Sequence, residues 1–311
     1  MFQKIKEIIE KYDRIIIHRH SHPDGDAIGS QTGLAFLLRD SYPDKEIYTV
    51  GDPAGRYAFM EGSTPDEISD SLYEGALAIV LDTSAASLIS DGRYRSALET
   101  VRMDHHIFVE KICDTELTDT SFESCAGLVA EFARVTGLTL TERAAKALYT
   151  GMVTDSGRFR YDSTSEKTHA VASYLMSVPF DTGDIFKNLY SDTLENAKRR
   201  AEFILRIVKT DAPVAYIYTT KEELSASGLD VFAASRGMVN TMGDLTGVDI
   251  WVNFTETDGG VLAELRSSRY NVNPIAVKYG GGGHAKASGA TLPSREAAMN
   301  MLSDLIGLTK E

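Results

Sequence analysis

The sequence is poor in cysteine and has no arrangement of cysteines that would bind zinc or form a disulfide framework. Only two of its 311 residues are cysteine, Cys113 and Cys125, and they fit no C-x-x-C pattern. Reduced thiols of this kind are typical of a cytosolic protein. No apolar run approaches the roughly 18 residues that a membrane helix requires, and the first residues do not resemble a signal peptide. We therefore expect a cytoplasmic protein that makes no membrane contact.

Basic residues are also scarce. The 32 Lys and Arg residues stand against 45 Asp and Glu residues, which gives a net charge of −13, and there is no long run of Lys or Arg. Proteins that hold long nucleic acids normally present a basic face, because phosphate contacts supply most of their affinity. The charge therefore argues against a long nucleic acid as partner and favours a short or small anionic substrate.

The apolar pattern predicts an α/β protein with two domains. The short apolar runs at residues 15–17 and 77–81 are typical of strands buried on both faces of a parallel sheet, and helical patterns lie between such runs. Residues 189–208 form a charged helical pattern without Gly or Pro. We predict a doubly wound, mainly parallel catalytic domain, a helical connector and a smaller mixed α/β domain, with the active site in the cleft between the domains. Their predicted bounds are residues 1–185, 186–212 and 213–311.

The stretch from residue 15 to residue 30, IIIHRHSHPDGDAIGS, carries the densest chemistry. Pro23 and Gly25 predict a loop at the carboxyl end of the first strand, before a helix at residues 27–38 that Gly29-Ser30 would open toward a phosphate. Ligands of open α/β sheets bind at that edge, and imidazole and carboxylate groups are typical metal ligands. The stretch therefore predicts a metal site. Its polar residues are His18, His20, His22, Asp24 and Asp26.

Three later predicted strands or helices also end in carboxylate or imidazole side chains. Asp82 follows a buried strand, where a helix N-cap is an equally good explanation. Asp104, His105 and His106 follow the next strand. Adjacent side chains in extended chain point to opposite sides, so one histidine could face a metal and the other a substrate, while the aspartate fixes the tautomer of the ligand histidine. Asp155 ends an apolar helix, where the helix dipole disfavours a bare carboxylate.

Two further segments predict phosphate contacts. Arg158 follows Asp155 closely and could clamp a phosphate, although ordinary surface charge explains it equally well. Four consecutive glycines at residues 280–283 precede His284, and Arg266 lies in a neighbouring predicted strand. The glycine run matches neither the P-loop nor the dinucleotide-binding pattern. It predicts a phosphate or base cradle, with a flexible turn as the alternative.

The motif HSHPDGD, Asp82, the Asp-His-His triplet and Asp155 together resemble the DHH phosphoesterase superfamily, in the order found in that family. The glycine run with His284 resembles the DHH-associated C-terminal domain, so the resemblance covers essentially the whole chain. In length the chain is most similar to the nanoRNase and pAp-phosphatase group. The resemblance implies a Mn²⁺-dependent phosphoesterase that hydrolyses short 5′-phosphorylated oligonucleotides, pApA-type linear dinucleotides and pAp by two-metal activation of water.

The resemblance also implies roles for individual residues. Two Mn²⁺ ions, with Mg²⁺ or Co²⁺ as substitutes, would be held by His20, Asp24, Asp26, Asp82, His105 and Asp155. His18 and His22 match no ligand position. His106, with Asp104, would act at the scissile phosphate, although the residues alone leave open which histidine of the pair binds metal. The residues implied or proposed for substrate binding are Arg158, Arg266, Gly282, Gly283 and His284.

Other functions use the same residues differently. An inorganic pyrophosphatase could share the metal centre, but a compact diphosphate does not need the glycine-rich second domain. A non-catalytic nucleotide-binding regulator would show a broken ligand set, and no matched position is missing. A long-chain exonuclease of the RecJ type is disfavoured by acidity and length. The sequence leaves open the preferred substrate, the polarity of digestion and whether the protein is a homodimer.

Overall fold

The computed structural model describes residues 1–310. The chain separates into two compact units, Met1–Ser191 and Asp192–Glu311. Within the described residues, no helix combines the length and the apolar character needed to cross a bilayer.

The first unit is built on a five-stranded sheet with the order β2-β1-β3-β4-β5, in which every neighbouring pair is parallel. This confirms the predicted parallel sheet. β5 was not predicted. It is only four residues long and most of them are half-buried, so its sequence shows no clear alternation of apolar and polar residues. The strands are β1 (Arg14–His18), β2 (Glu46–Thr49), β3 (Leu77–Leu81), β4 (Glu99–Asp104) and β5 (Thr115–Thr118).

The described part of the first unit contains six α-helices. They are α1 (Phe2–Lys11), α2 (Gly25–Ser41), α3 (Cys125–Thr136), α4 (Glu142–Asp155), α5 (Glu166–Leu175) and α6 (Thr182–Tyr190). The Asp24 side chain caps α2 by accepting hydrogen bonds from the backbone N–H groups of Asp26 and Ala27. The helix therefore begins at Gly25. The prediction that Gly29-Ser30 opens it toward a phosphate is wrong, because both residues are buried in its second turn.

Helices α2 and α4 touch through their backbones. Gly25, Gly29 and Gly33 recur every fourth residue and so share one face of α2. A Cβ atom on Gly29 would lie 2.7 Å from the Ala147 carbonyl oxygen and 2.8 Å from the Gly151 nitrogen. The same face meets the end of α4 near Gly25 and its middle near Gly33, so the helices run antiparallel. The start of α2 therefore lies beside the end of α4.

His18 is a core residue of β1. Its ring is fully buried between Tyr73 and Tyr94, with Nε2 3.4 Å from the Tyr73 hydroxyl and Nδ1 without a hydrogen-bond partner in residues 1–310. Burial lowers the pKa of His18 from 6.5 to about 4, although the neighbouring Asp91 opposes this shift. That His18 is no metal ligand stays a prediction.

The burial of His18 predicts a loss of stability in acid. The unfolded chain binds a proton at this ring below about pH 6.5, whereas the folded protein does so only near pH 4. The free energy of unfolding should therefore fall as the pH is lowered through that window, by up to about 3 kcal/mol from this group. Urea unfolding at pH 7.0 and 4.5 measures it. His18→Asn should make the free energy of unfolding depend less on pH. His169→Asn, at an exposed position, should leave this pH dependence as in the wild type. An equal pH dependence in all three proteins would contradict the prediction.

The second unit contains a six-stranded mixed sheet with the order β10-β11-β9-β8-β7-β6. Only β7 and β8 pair in parallel; the other neighbours are antiparallel. This confirms the predicted mixed α/β second domain. The strands are β6 (Val208–Lys209), β7 (Val214–Thr219), β8 (Ile250–Thr257), β9 (Gly260–Ser267), β10 (Gly282–His284) and β11 (Ala287–Leu292). The helices are α7 (Leu194–Ile204), α8 (Lys221–Ser227), α9 (Asn273–Lys278) and α10 (Arg295–Leu308).

The helical pattern at residues 189–208 is not one continuous helix. α6 ends at Tyr190 and α7 begins at Leu194, because the Thr193 hydroxyl accepts a hydrogen bond from the Asn196 N–H and so starts a new helix. In the second unit, a π turn at Ala233–Gly237 is likewise followed by a separate 3₁₀ turn at Val239–Met242. The assignment of residues 186–212 to a connector stays a prediction.

Candidate metal centre

The predicted ligands come from neighbouring strand ends. β1, β3 and β4 are adjacent and parallel, so their carboxyl ends meet at one edge of the sheet. The DHH-like first motif follows β1, Asp82 follows β3, and the histidine pair follows β4. The contact between α2 and α4 brings Asp155 to the same place from the end of a helix.

All six side chains predicted as metal ligands gather there. They fall into overlapping groups, one of which also contains His106, and within each group the nitrogen and oxygen donor atoms lie within 4.8 Å of one another. The groups are His20, Asp24 and Asp82; Asp26, His105 and Asp155; and Asp82, His105 and His106. His22 lies outside these groups.

Asp82 links the groups. Its Oδ2 lies 3.5 Å from Nε2 of His20, and its Oδ1 lies 3.5 Å from Nε2 of His105. The residue is 2% exposed, and Oδ1 has no hydrogen-bond partner within the described part of the chain. A buried carboxylate oxygen without a hydrogen bond is costly unless a cation binds it. The two oxygens thus face two different ligand groups, as expected for a carboxylate shared by two ions.

Backbone amides hold two of the other carboxylates. The fully buried Asp26 accepts hydrogen bonds from Cys125 N at 2.7 Å and Ala126 N at 2.8 Å, both in the first turn of α3. The positive end of the α3 dipole favours this negative charge. Asp24 is held by its capping bonds to α2. The α2 and α3 backbones therefore position these carboxylates.

The centre attracts positive charge. Burial alone would lower the pKa of His20, but Asp24 and Asp82 outweigh it and raise that pKa to about 11. Burial is likewise outweighed at His105, where the carboxylates of Asp82, Asp26 and Asp155 raise the pKa to about 10. Burial raises the pKa of Asp155 to about 6, with Asp82 adding to the shift and His105 opposing it. Carboxylate and imidazole donors of this kind fit divalent ions such as Mn²⁺ and Mg²⁺.

The two histidines after β4 do not point to opposite sides, as extended chain would require. β4 ends at Asp104, and the rings of His105 and His106 lie 4.5 Å apart on the same side. Nε2 of His105 is 3.5 Å from Oδ2 of Asp155, so this ring faces the carboxylates. Nδ1 of His106 is 2.8 Å from Oδ1 of Asp104, so the aspartate fixes the tautomer of His106 and not that of His105.

A left-handed turn follows Asp155. Gly157, Arg158 and Phe159 have φ angles of 56°, 65° and 60°. This conformation costs about 1–2 kcal/mol for each residue that carries a Cβ atom. The Ser156 hydroxyl holds the turn by accepting a hydrogen bond from the Phe159 N–H at 2.9 Å. The turn leaves Arg158 exposed, a short distance along the chain from a predicted metal ligand.

The predicted substrate-binding residues of the second unit lie on and around β10. Gly282 has open space where a Cβ atom would be, whereas a Cβ atom on Gly283 would lie 2.6 Å from the Ala287 carbonyl oxygen. His284 is exposed. Arg266 donates to the Leu265 carbonyl at 2.8 Å and lies 3.3 Å from Glu264. Close packing against β11 explains Gly283, and the roles of these four residues in binding stay predictions.

Two tyrosines and an arginine near the centre were not predicted from the sequence. Arg56 and Tyr57 stack on each other in the segment after β2, and Tyr190 stacks on Arg158. The available signal was the adjacency of an arginine and a tyrosine in a loop that follows a strand at the carboxyl edge of the sheet. Nothing in the sequence placed Tyr190 near that edge.

Comparisons with known proteins agree on one family. The family model described as "DHH family, N-terminal domain" matches residues 14–152, and the model described as "DHHA1 domain" matches residues 230–311. A Bacillus subtilis protein named bifunctional oligoribonuclease and PAP phosphatase NrnA is 37% identical over 97% of both chains. A Streptococcus mutans protein with the same name, qualified as probable, is 33% identical over 99% of both chains. A crystal structure of an exopolyphosphatase-related protein from Bacteroides fragilis superposes with a TM-score of 0.84 at 27% identity, covering 100% of this chain and 97% of the other.

Proposed function

We infer that this chain, which belongs to the DHH family, is a divalent-metal-dependent phosphoesterase that hydrolyses short 5′-phosphorylated oligonucleotides, pApA-type dinucleotides and pAp. The observation that carries the inference is the pair of ligand groups joined by Asp82. The names of the full-length relatives support the substrate class. The net charge of −13 and the absence of a long run of Lys or Arg support short substrates over long ones.

The ligand groups divide the work of holding two ions. His20 and Asp24 would hold one ion, Asp26, His105 and Asp155 the other, and Asp82 both. Ions bound there would lower the pKa of a water molecule and neutralise charge on the phosphoryl oxygens. We propose Mn²⁺ as the metal, with Mg²⁺ and Co²⁺ as substitutes, because carboxylates outnumber imidazoles in both groups.

His106 and Asp104 would act on the substrate. Because Asp104 accepts the Nδ1 proton, Nε2 of His106 is the nitrogen that remains to contact a phosphoryl oxygen or to give a proton to the leaving oxygen. The Asp104 hydrogen bond raises the pKa of His106. Arg158 would contact a phosphate group of the substrate. Arg266, Gly282, Gly283 and His284 would contact the nucleotide from the DHHA1 domain.

Activity measurements on a graded substrate series test this function. Purified protein loaded with Mn²⁺ should release AMP from pAp and pApA and mononucleotides from RNA of three to five nucleotides. It should act far more slowly on RNA of about thirty nucleotides, because a chain with a net charge of −13 and no long run of Lys or Arg offers a polymer few phosphate contacts. Prior treatment with a chelator should abolish turnover, and added Mn²⁺ should restore it. Turnover of inorganic pyrophosphate with none of pAp or pApA would overturn the proposal in favour of a pyrophosphatase.

A further inference from the structure

Two arginine–tyrosine pairs lie beside the metal centre in the first unit. The Arg56 guanidinium carbon is 5.1 Å from the centre of the Tyr57 ring, and the Arg158 guanidinium carbon is 4.4 Å from the centre of the Tyr190 ring. Nη2 of Arg56 also donates to the Leu189 carbonyl oxygen at 3.3 Å, and Leu189 immediately precedes Tyr190. The two pairs are thereby joined. We refer to Arg56, Tyr57, Arg158 and Tyr190 as the arginine–tyrosine cluster.

The cluster is connected to the predicted ligands on two sides. Tyr57 packs against Ile28 in the first turns of α2, the helix that Asp24 caps. Arg158 lies in the left-handed turn, three residues after Asp155 in the chain. The cluster therefore flanks the centre on the side of its two more exposed carboxylates, Asp24 and Asp155, whose side chains are 56% and 33% exposed.

Neither arginine of the cluster is described in an ion pair within its own unit. The partners described for Arg56 and Arg158 within Met1–Ser191 are aromatic rings and a carbonyl oxygen, not carboxylates. Both arginines are exposed. In a chain where acidic residues outnumber basic ones by 45 to 32, two stacked arginines of this kind next to a phosphoesterase centre indicate an anionic ligand.

We propose that the arginine–tyrosine cluster binds the 5′-phosphate of the substrate, the phosphate that is not cleaved. This rests on the proposed function. In both pAp and pApA, water forms a new bond to the phosphorus on the 3′ oxygen, the bond from that phosphorus to the 3′ oxygen breaks, and the 3′ oxygen takes up a proton. The 5′-phosphate lies one ribose away in both molecules. A single clamp on that phosphate would account for one centre accepting a bisphosphate nucleotide and a dinucleotide.

The arginines have the chemistry for this role, and the tyrosines pre-organise them. A guanidinium presents parallel N–H donors that match two phosphate oxygens, which an ammonium group cannot do. Stacking on a ring fixes its plane and reduces the conformational entropy lost on binding. Tyr57 and Tyr190 are thus positioning residues, and the contacts to phosphate come from Arg56 and Arg158.

Two substrates that differ only in the 5′-phosphate test the clamp. pAp carries it, and adenosine 3′-monophosphate has the same scissile phosphate without it. In Arg56→Gln and Arg158→Gln, kcat/KM for pAp should fall at least about tenfold, mostly through KM, because hydrogen bonds between charged groups are lost. For adenosine 3′-monophosphate it should change less than about twofold. Arg56→Lys should recover only part of the loss. Arg95→Gln, at an exposed arginine that stacks on Tyr94 at 5.3 Å outside the cluster, should behave as wild type on both substrates.

The other outcomes are decisive as well. Equal losses on the two substrates, or no loss on pAp, would overturn the clamp while leaving the phosphoesterase in place. Equilibrium binding of both nucleotides by calorimetry in Ca²⁺ separates the two proposals. If the wild type hydrolyses neither nucleotide but binds pAp more tightly, and Arg56→Gln removes that preference, the clamp stands and the proposed function fails. A wild type that binds both nucleotides equally well overturns the clamp.

Discussion

Replacing Asp82 by Asn should remove both metal ions and lower kcat on pAp by at least about a thousandfold, since metal ions supply several kcal/mol of transition-state stabilisation. The carboxylate is shared between two ligand groups, with one oxygen 3.5 Å from His20 and the other 3.5 Å from His105. The substitution keeps the volume of the side chain, and Asn tolerates the positive φ angle of 50° at this position. Folding should therefore survive while the charge is lost. Elemental analysis after gel filtration and steady-state rates measure the two effects.

Two matched variants define the result. Asp24→Asn removes a carboxylate from only one ligand group, and Asn caps a helix as well as Asp, so this variant should keep one ion per chain. Asp70→Asn removes an exposed carboxylate that pairs with Arg93 away from the centre, and should keep both. An Asp82→Asn protein that retained two tightly held ions would show that this carboxylate is not shared.

Replacing Gly29 by Ala should lower the free energy of unfolding by about 2–3 kcal/mol, in the range of other overpacked cores. The added methyl group would lie under 3 Å from backbone atoms of α4 at Ala147 and Gly151, which no change of rotamer can move away. The gain in helix propensity, about 1 kcal/mol, offsets only part of this. Because the contact also aligns Asp26 with Asp155, the affinity for metal should fall too. Urea unfolding and metal titration test both effects.

Two other glycines serve as controls. Gly92 in the same unit is exposed and lacks a positive φ angle, and a Cβ atom added there would meet no other atom within 4 Å, so Gly92→Ala should leave the stability nearly unchanged. The nearest atoms to a Cβ atom on Gly33 belong to the side chain of Leu148, which can shift, so the stability of Gly33→Ala should lie between those of the other two variants. Equal stability of the Gly29 and Gly92 variants would contradict a backbone contact between α2 and α4.

The sequence predicted the gathering of ligands because the rule that it depends on is topological. Parallel strands end at one edge, so polar residues after β1, β3 and β4 had to meet there. Asp155 was found by the conflict between a carboxylate and a helix end. These inferences need only the order of strands and helices along the chain. Apolar runs such as residues 77–81 reveal that order directly.

What the sequence did not predict depends on side-chain direction and on close contact. The orientations of His105 and His106 follow from the end of β4 at Asp104, a boundary that periodicity does not locate. Gly29 was interpreted as a phosphate contact because a glycine near a helix start has two explanations, and only the position of α4 distinguishes them. Tyr190 and Arg56 are 134 positions apart in the chain, and no local pattern connects them.

The backbone contact between α2 and α4 also bears on which metals the protein can use. Because α2 and α4 already touch, they cannot move closer together. If a smaller ion such as Mg²⁺ replaces Mn²⁺, only side-chain movements can shorten the distances to it. Mg²⁺ demands bonds of about 2.0–2.1 Å in near-ideal octahedral geometry. Asp26 is held by two amides and cannot adapt, whereas Asp155 is partly exposed at a helix end. Asp155 should therefore determine the selectivity among divalent ions, and substitution of this one residue should be enough to change the metal preference.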